Sequence, residues 1–169
     1  MACTIIVNID YIDLSSNNLW RKLAFMRSVN WRLYINMKAS FGHILINVSS
    51  KRKSFPFYKE LLKYLGWEII YEDSNYLGAS SRPADLWFEE TEPEYKKNYF
   101  HRKNTGINHF SFKVARKGDV DKFHQDFLKK KGIKTLYESP AIFPDYGDNY
   151  YAVFFEDPDR IKIEVAYEG

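Results

Sequence analysis

The chain has a single cysteine in 169 residues, Cys3, which excludes a disulfide framework and makes a reducing compartment the ordinary expectation. It has no apolar run near the roughly 20 residues that a membrane-spanning helix requires, so an integral helical membrane protein is excluded. Its eight glycines are scattered and build no phosphate-cradling loop. A dominant charge is missing as well. Lys and Arg number 25 against 22 Asp and Glu, a net charge of +3, and the short basic runs at 51–53, 96–97 and 129–131 are interleaved with acids. They read as solvated surface, not as a nucleic-acid interface. No sorting signal stands out, which leaves the cytoplasm as the default location. What the sequence does have is 45% hydrophobic and 18% aromatic content, enough for a packed globular core.

An internal repeat organises most of the chain. Gly42-His43-Ile44-Leu45-Ile46-Asn47-Val48 aligns with Asn108-His109-Phe110-Ser111-Phe112-Lys113-Val114 at an offset of 66, and the same offset carries Phe57–Leu62 onto Phe123–Leu128 and Gly66 onto Gly132. Each copy reads as a strand, a helix and three further strands. Residues 43–48 and 109–114 alternate with the period of a half-buried strand. Ser54 with Pro56 predicts a helix start in the first copy and Asp119 a cap in the second, with Gly66 and Gly132 as the stops. The remaining strands are expected at 67–73, 75–79 and 84–89, then at 134–138, 150–156 and 161–167. Asp157-Pro158-Asp159-Arg160 is a tight turn. The expected architecture is therefore α+β, with paired βαβββ modules at 41–90 and 106–169 joined by a charged linker at 91–105. Residues 1–40 form an extension outside the repeat, with a short strand at Ile5–Val7 and a basic, aromatic helix at 17–36. Asp10 and Asp13 argue against a targeting peptide there; a natural start at Met37 is the other reading of this segment.

Alternation assigns the faces. Ile44, Ile46 and Val48, Phe110, Phe112 and Val114, and Ile161, Ile163 and Val165 are all apolar and belong under the helices. The opposite face collects His43, His109 and Glu164, and Asp85 and Trp87 from the strand at 84–89. A lone His or Glu on such a face is ordinary surface. Two histidines at one repeat position, with one or two carboxylates beside them, make a candidate divalent-metal site. His101 in the linker reads as exposed, and His124 on the second helix as structural.

The paired βαβββ units, the matched strand-borne histidines and the closing run from Tyr150 to Glu164 resemble the vicinal oxygen chelate superfamily, which includes glyoxalase I, bleomycin-resistance proteins, fosfomycin-resistance enzymes and extradiol dioxygenases. The resemblance covers about residues 41–168. It implies two curved mixed sheets around a cavity, with metal ligands on the first and last strands of each module. Carried over residue by residue, His43, His109 and Glu164 match three ligand positions for one divalent ion (zinc, nickel, manganese or ferrous iron). Asp85 falls near the fourth, where glyoxalases usually carry the longer Glu, and Glu164 doubles as proton base. Trp87 and Tyr151 then line the cavity as substrate-binding residues. Arg160 departs from the family by replacing the usual glycine of the Asp-Pro-Asp-Gly turn.

The activity this implies is that of a metal-dependent lyase, isomerase or thiol transferase acting on a small oxygenated or electrophilic molecule. The same family also offers a metal-free, drug-sequestering protein of the bleomycin-resistance type and a ferrous ring-cleaving dioxygenase. The partners implied are a small-molecule ligand and a second copy of the chain in a homodimer.

Overall fold

A computed structural model of the chain describes residues 39–169 with the exception of Pro83. The expected strand at Ile5–Val7, the helix at 17–36, Cys3 and the alternative start at Met37 lie outside the described residues. The first module runs β1 (His43–Val48), α1 (Lys51–Tyr64), β2 (Glu68–Glu72), β3 (Tyr76–Ser80) and β4 (Asp85–Glu90). The second runs β5 (His109–Lys113), α2 (Lys117–Phe123) continuing as a π-helical turn (His124–Lys129), β6 (Thr135–Ile142), β7 (Tyr151–Glu156) and β8 (Lys162–Tyr167). Each module is a four-stranded mixed sheet, ordered β1-β4-β3-β2 and β5-β8-β7-β6, in which the first strand pairs in parallel with the last.

The repeat extends to the helix ends. In both modules the helix stops at a glycine in the left-handed region, Gly66 (φ 83°) and Gly132 (φ 66°). The next residue's N–H then reaches back, Trp67 to Leu62 O at 2.8 Å and Ile133 to Leu128 O at 2.9 Å, satisfying a carbonyl that the helix leaves free. The helix starts differ from expectation. α1 begins at Lys51, one turn before Ser54, where its first N–H finds a partner on a distant strand: Lys51 N donates to Glu90 Oε2 at 3.2 Å. Ser54 is fully buried inside the helix and its hydroxyl donates to Asp159 Oδ2 at 2.8 Å. Asp119 lies in the first turn of α2 and pairs with Arg116 at 2.8 Å instead of capping.

One core serves both sheets. Ile46, Val48, Leu86 and Phe88 of the first sheet and Phe112, Val153, Ile163 and Val165 of the second are buried in a single cluster with Tyr58, Leu61 and Leu62 of α1 and Val120, Phe123 and Leu128 of α2. Burying each such side chain stabilises the fold by about 1.5–3 kcal/mol. Aromatic contacts tie the modules together: Tyr64 of α1 packs on Phe123 and Phe127, and Trp67 meets Phe112 edge-on at 5.7 Å. A polar clasp adds to them. Tyr58 in α1 donates to Asp157 Oδ2 at 2.6 Å, while Asp157 Oδ1 accepts the N–H groups of Asp159 and Ile161. Burial pushes the Asp157 carboxyl up to about 6 against these hydrogen bonds. They also hold the turn in which Arg160, at φ 67°, occupies a conformation that glycine adopts without strain. Because the helix-bearing faces of both sheets meet in this core, the opposite face of each sheet is directed away from it.

Candidate functional site

The outward face of the second sheet builds a site around Glu164. Alternation along β8 sends Ile163 and Val165 into the shared core and Glu164 and Ala166 to the other side. There Ala152, Phe154 and Ala166 form a small second core with Leu136, Phe143 and Tyr150 packed against it. Glu164 is consequently 2% exposed, and a carboxylate so far from water requires partners. It has two. Tyr150 donates its hydroxyl to Oε1 at 2.7 Å, and His109 Nε2 lies 3.2 Å from Oε2. Burial, followed by the adjacent carboxylate, pushes the Tyr150 phenol far above its ordinary range, so it stays a hydrogen-bond donor.

The imidazole of His109 is fixed from behind. Asn108 Nδ2 donates to the Arg102 carbonyl at 3.2 Å, which turns Asn108 Oδ1 towards His109 Nδ1 at 2.9 Å. Because Oδ1 only accepts, Nδ1 must carry a proton. The neutral ring then points the lone pair of Nε2 at the Glu164 carboxylate. Two acceptors 3.2 Å apart need a positive centre between them, which is either a proton, making an imidazolium, or a metal ion. The donor set suits a divalent ion. A separation near 3 Å is about the span of two adjacent ligands bound at roughly 2.0–2.2 Å, and a His whose second ring nitrogen donates to a carbonyl is the common arrangement for a metal ligand.

The structure brings together two of the four residues expected at a metal, His109 and Glu164. Among the described residues no three His, Cys, Asp or Glu side chains converge. His43 is exposed at the start of β1, on the outward face of the first sheet. Asp85 is directly opposite it, as the register pairs His43 with Asp85 and Leu45 with Trp87. In the second module His109 pairs with Lys162 and Ser111 with Glu164. The position equivalent to Glu164 is therefore Trp87, and Asp85 corresponds to Lys162, which corrects the expectation that Asp85 falls near the fourth ligand position. The indole of Trp87 lies flat on β3, where a Cβ on Gly78 would stand 2.9 Å from the ring, and Tyr71 packs beside it at 5.7 Å.

Tyr151 requires a second correction. Its hydroxyl donates to Asp121 Oδ1 at 2.7 Å and the Lys117 ammonium sits 4.4 Å above its ring, on the helix side of the sheet. Burial and the Asp121 bond push its phenol up to about 12. The residue on the site side is its neighbour Tyr150, in phase with Ala152 and Phe154. His101 is exposed, as expected. His124 is half-buried on the second helix, and burial followed by the Lys129 charge lowers its pKa. A cleft of about 390 Å³ opens between β1 and the linker, lined by Leu45, Asn47, Tyr99, Phe100, Ile107 and Phe110 among others. It holds no acid–base pair, and neither His109 nor Glu164 borders it.

Comparison with known proteins gives a consistent picture. The family model of the Glyoxalase/Bleomycin resistance protein/Dioxygenase superfamily matches residues 40–165. The Bacillus subtilis protein YqjT, itself uncharacterized, is 33% identical over 124 residues, which is 73% of this chain and 95% of that protein. The crystal structure of a glyoxalase candidate from Bacillus halodurans superposes with a TM-score of 0.71 at 38% identity, over 80% of this chain and 99% of that one. Lactoylglutathione lyase from Agrobacterium tumefaciens, at 16% identity and a TM-score of 0.55, covers 77% of this chain and 94% of its own; that likeness is one of fold alone.

Proposed function

The chain belongs to the glyoxalase/bleomycin resistance protein/dioxygenase superfamily, and on that premise we propose that it is a metal-dependent, glyoxalase-like enzyme acting on a small oxygenated molecule at the His109–Glu164 centre. The observation that carries this reading is the fixed tautomer of His109, whose Nε2 lone pair is aimed at a buried carboxylate. His109 and Glu164 would hold the ion, with His43 as third protein ligand. Since the face that bears His43 is directed away from the shared core, a second copy of the chain supplies it, its first sheet apposed to the second sheet of this one. Trp87 then takes the place of a fourth ligand and leaves that coordination position to substrate.

When bound, the ion supplies Lewis-acid stabilisation of negative charge developing on a substrate oxygen. The protein does the rest. Asn108 keeps the His109 ring in its ligating tautomer and orientation. Tyr150 holds Glu164 Oε1 and leaves Oε2 as the carboxylate oxygen turned to the centre, where it can take a proton from a carbon or oxygen acid. Phe143, Phe154 and Ala152 exclude water, which strengthens each electrostatic contact.

The test is elemental analysis of the purified protein beside a His43→Ala/His109→Ala double variant. The reading expects about one transition metal per chain in the parent and none in the variant, with activity lost on chelation and restored by one metal. Absence of metal from the parent after incubation with zinc, nickel, manganese and ferrous iron defeats it. A second reading is favoured by Trp87 itself, an aromatic residue where a carboxylate would complete a metal shell: a metal-free protein that sequesters a flat ligand against Trp87 and Phe154. Ligand affinity that survives loss of His43, His109 and Glu164 distinguishes it. Oxygen uptake with a catechol identifies the third relative in chemistry, a ferrous ring-cleaving dioxygenase.

A further inference from the structure

We propose that Lys162 selects the substrate of this site, making its mouth a receptor for small molecules that carry an anionic group on a flat apolar body. The inference rests on the reading above that substrate sits on the outward face of the second sheet, and it adds the class of molecule.

Lys162 is two residues before Glu164 on β8 and is the direct cross-strand partner of His109, so its side chain shares their face. Its ammonium lies 5.4 Å from the centre of the Phe154 ring and 5.6 Å from that of Tyr137. The rings hold the cation without neutralising it. The carboxylate best placed to do so is Glu156, its partner on β7, but Glu156 is taken by Arg102 at 2.5 Å and by Arg160 at 3.6 Å. Two arginines therefore share that carboxylate, and Lys162 has no ion-pair partner among the described residues. Glu164, on the same face, turns its oxygens to Tyr150 and His109 and forms no ion pair with Lys162.

The second wall of this cation pocket is built at a conformational cost. Pairing between β6 and β7 breaks between Leu136 and Ala141, and Tyr137 and Glu138 are both in the left-handed region, at φ 59° and 55°. Ser139, 5% exposed, pins the bulge by donating to Leu136 O at 2.6 Å and accepting from Phe154 N at 3.0 Å. The consequence of the bulge is to carry the Tyr137 ring edge-on to Phe154 at 5.4 Å and beside Lys162. Backbone strain that serves to place one exposed ring against one unpaired cation belongs with binding rather than with packing. The flat apolar body follows from the same rings: Phe143 meets Phe154 edge-on at 5.0 Å, and Tyr146 lies tilted beside Phe143 and edge-on to Tyr150.

The test compares benzoate with its neutral isostere benzamide, by calorimetric titration of the full chain. The parent is expected to bind benzoate about tenfold or more tightly than benzamide, the scale of a charge-assisted contact. Lys162→Met should bring the two ligands to equal affinity, and Lys162→Arg should keep the preference. Equal affinities in the parent, or a preference that survives in Lys162→Met, overturn the proposal. Metal content measured on the same preparations separates the two readings. A preference lost in Lys162→Met from a protein without metal upholds this inference while defeating the metal centre, and a metal-bearing parent with no preference does the opposite.

Discussion

The two modules share a scaffold and differ on the face they turn outward. In both, the first strand pairs in parallel with the last, a helix closes the inner face, and a left-handed glycine ends that helix. The outward face of the second module is closed over by Phe143, Tyr150 and Phe154, so that Glu164 is buried with His109 Nε2 3.2 Å away. The outward face of the first is open. Its histidine, exposed like His109, has no carboxylate bonded to it among the described residues, and at the position of Glu164 the face carries an indole laid flat on a glycine. The two outward faces thus differ in chemistry: one carries a buried carboxylate beside an imidazole, the other an indole platform and one imidazole. A face with a buried carboxylate needs a counter-charge, whereas a face with an indole needs only a flat partner.

The largest expected effect breaks this asymmetry directly. Glu164→Gln preserves the shape of the site and the Tyr150 contact but removes the charge, and it should abolish metal retention and lower turnover by about 100-fold or more. Trp87→Phe, at the matching position, should leave metal content unchanged; metal loss there on elemental analysis would mean the modules are not divided in this way. Next comes Asn108→Ala, which frees the His109 ring and should weaken metal affinity by about 10- to 100-fold, measurable by competition with a chelator. An unchanged affinity would remove the tautomer argument.

Much of this fold was legible in the sequence, because a repeat with strand alternation and glycine stops constrains architecture strongly. The inward faces follow from β1 and β5, where every inward position is apolar and Leu45 is the one apolar residue on the outward side. Tyr151 was misplaced for a physical reason. β7 is buried on both faces from Ala152 to Phe155, so its alternation is hidden, and only the pairing of Phe154 with Glu164 across the hairpin shows that Tyr150 faces the site. That Asp85 matches Lys162 and not Glu164 is hidden in the sequence, because the stretch between the helix and the last strand is longer in the second module and strand register is not a local property. Asn108 carried a readable signal, an amide immediately before the paired histidine. The roles of Tyr150 and Ser139 depend on contacts between strands, which spacing alone does not encode.

Smaller effects sharpen the account of how the modules are joined. Tyr58→Phe leaves the Asp157 carboxylate buried with one donor fewer and should destabilise the protein by about 1–3 kcal/mol, read from denaturant midpoints. The pH dependence of the same clasp has a definite sign. Burial raises Asp157 from the ordinary carboxylate range to about 6, so the folded state binds its proton more tightly than the unfolded chain. The stabilisation is complete below the unfolded value and is lost as pH rises through about 6. Between pH 7 and pH 5 the parent should therefore gain about 1 kcal/mol relative to Asp157→Asn; a difference that shrinks on acidification would refute the assignment.

The central claim is that one copy's first module completes the reactive face of another copy's second module. It is tested most directly by mixing His43→Ala with His109→Ala, each of which should be unable to hold metal alone. Unfolded together and refolded, the pair should recover metal, because a mixed dimer pairs an intact His43 face with an intact His109–Glu164 face at one of its two sites. If the refolded mixture holds no more metal than either variant alone, the site is not shared between chains and the account is contradicted.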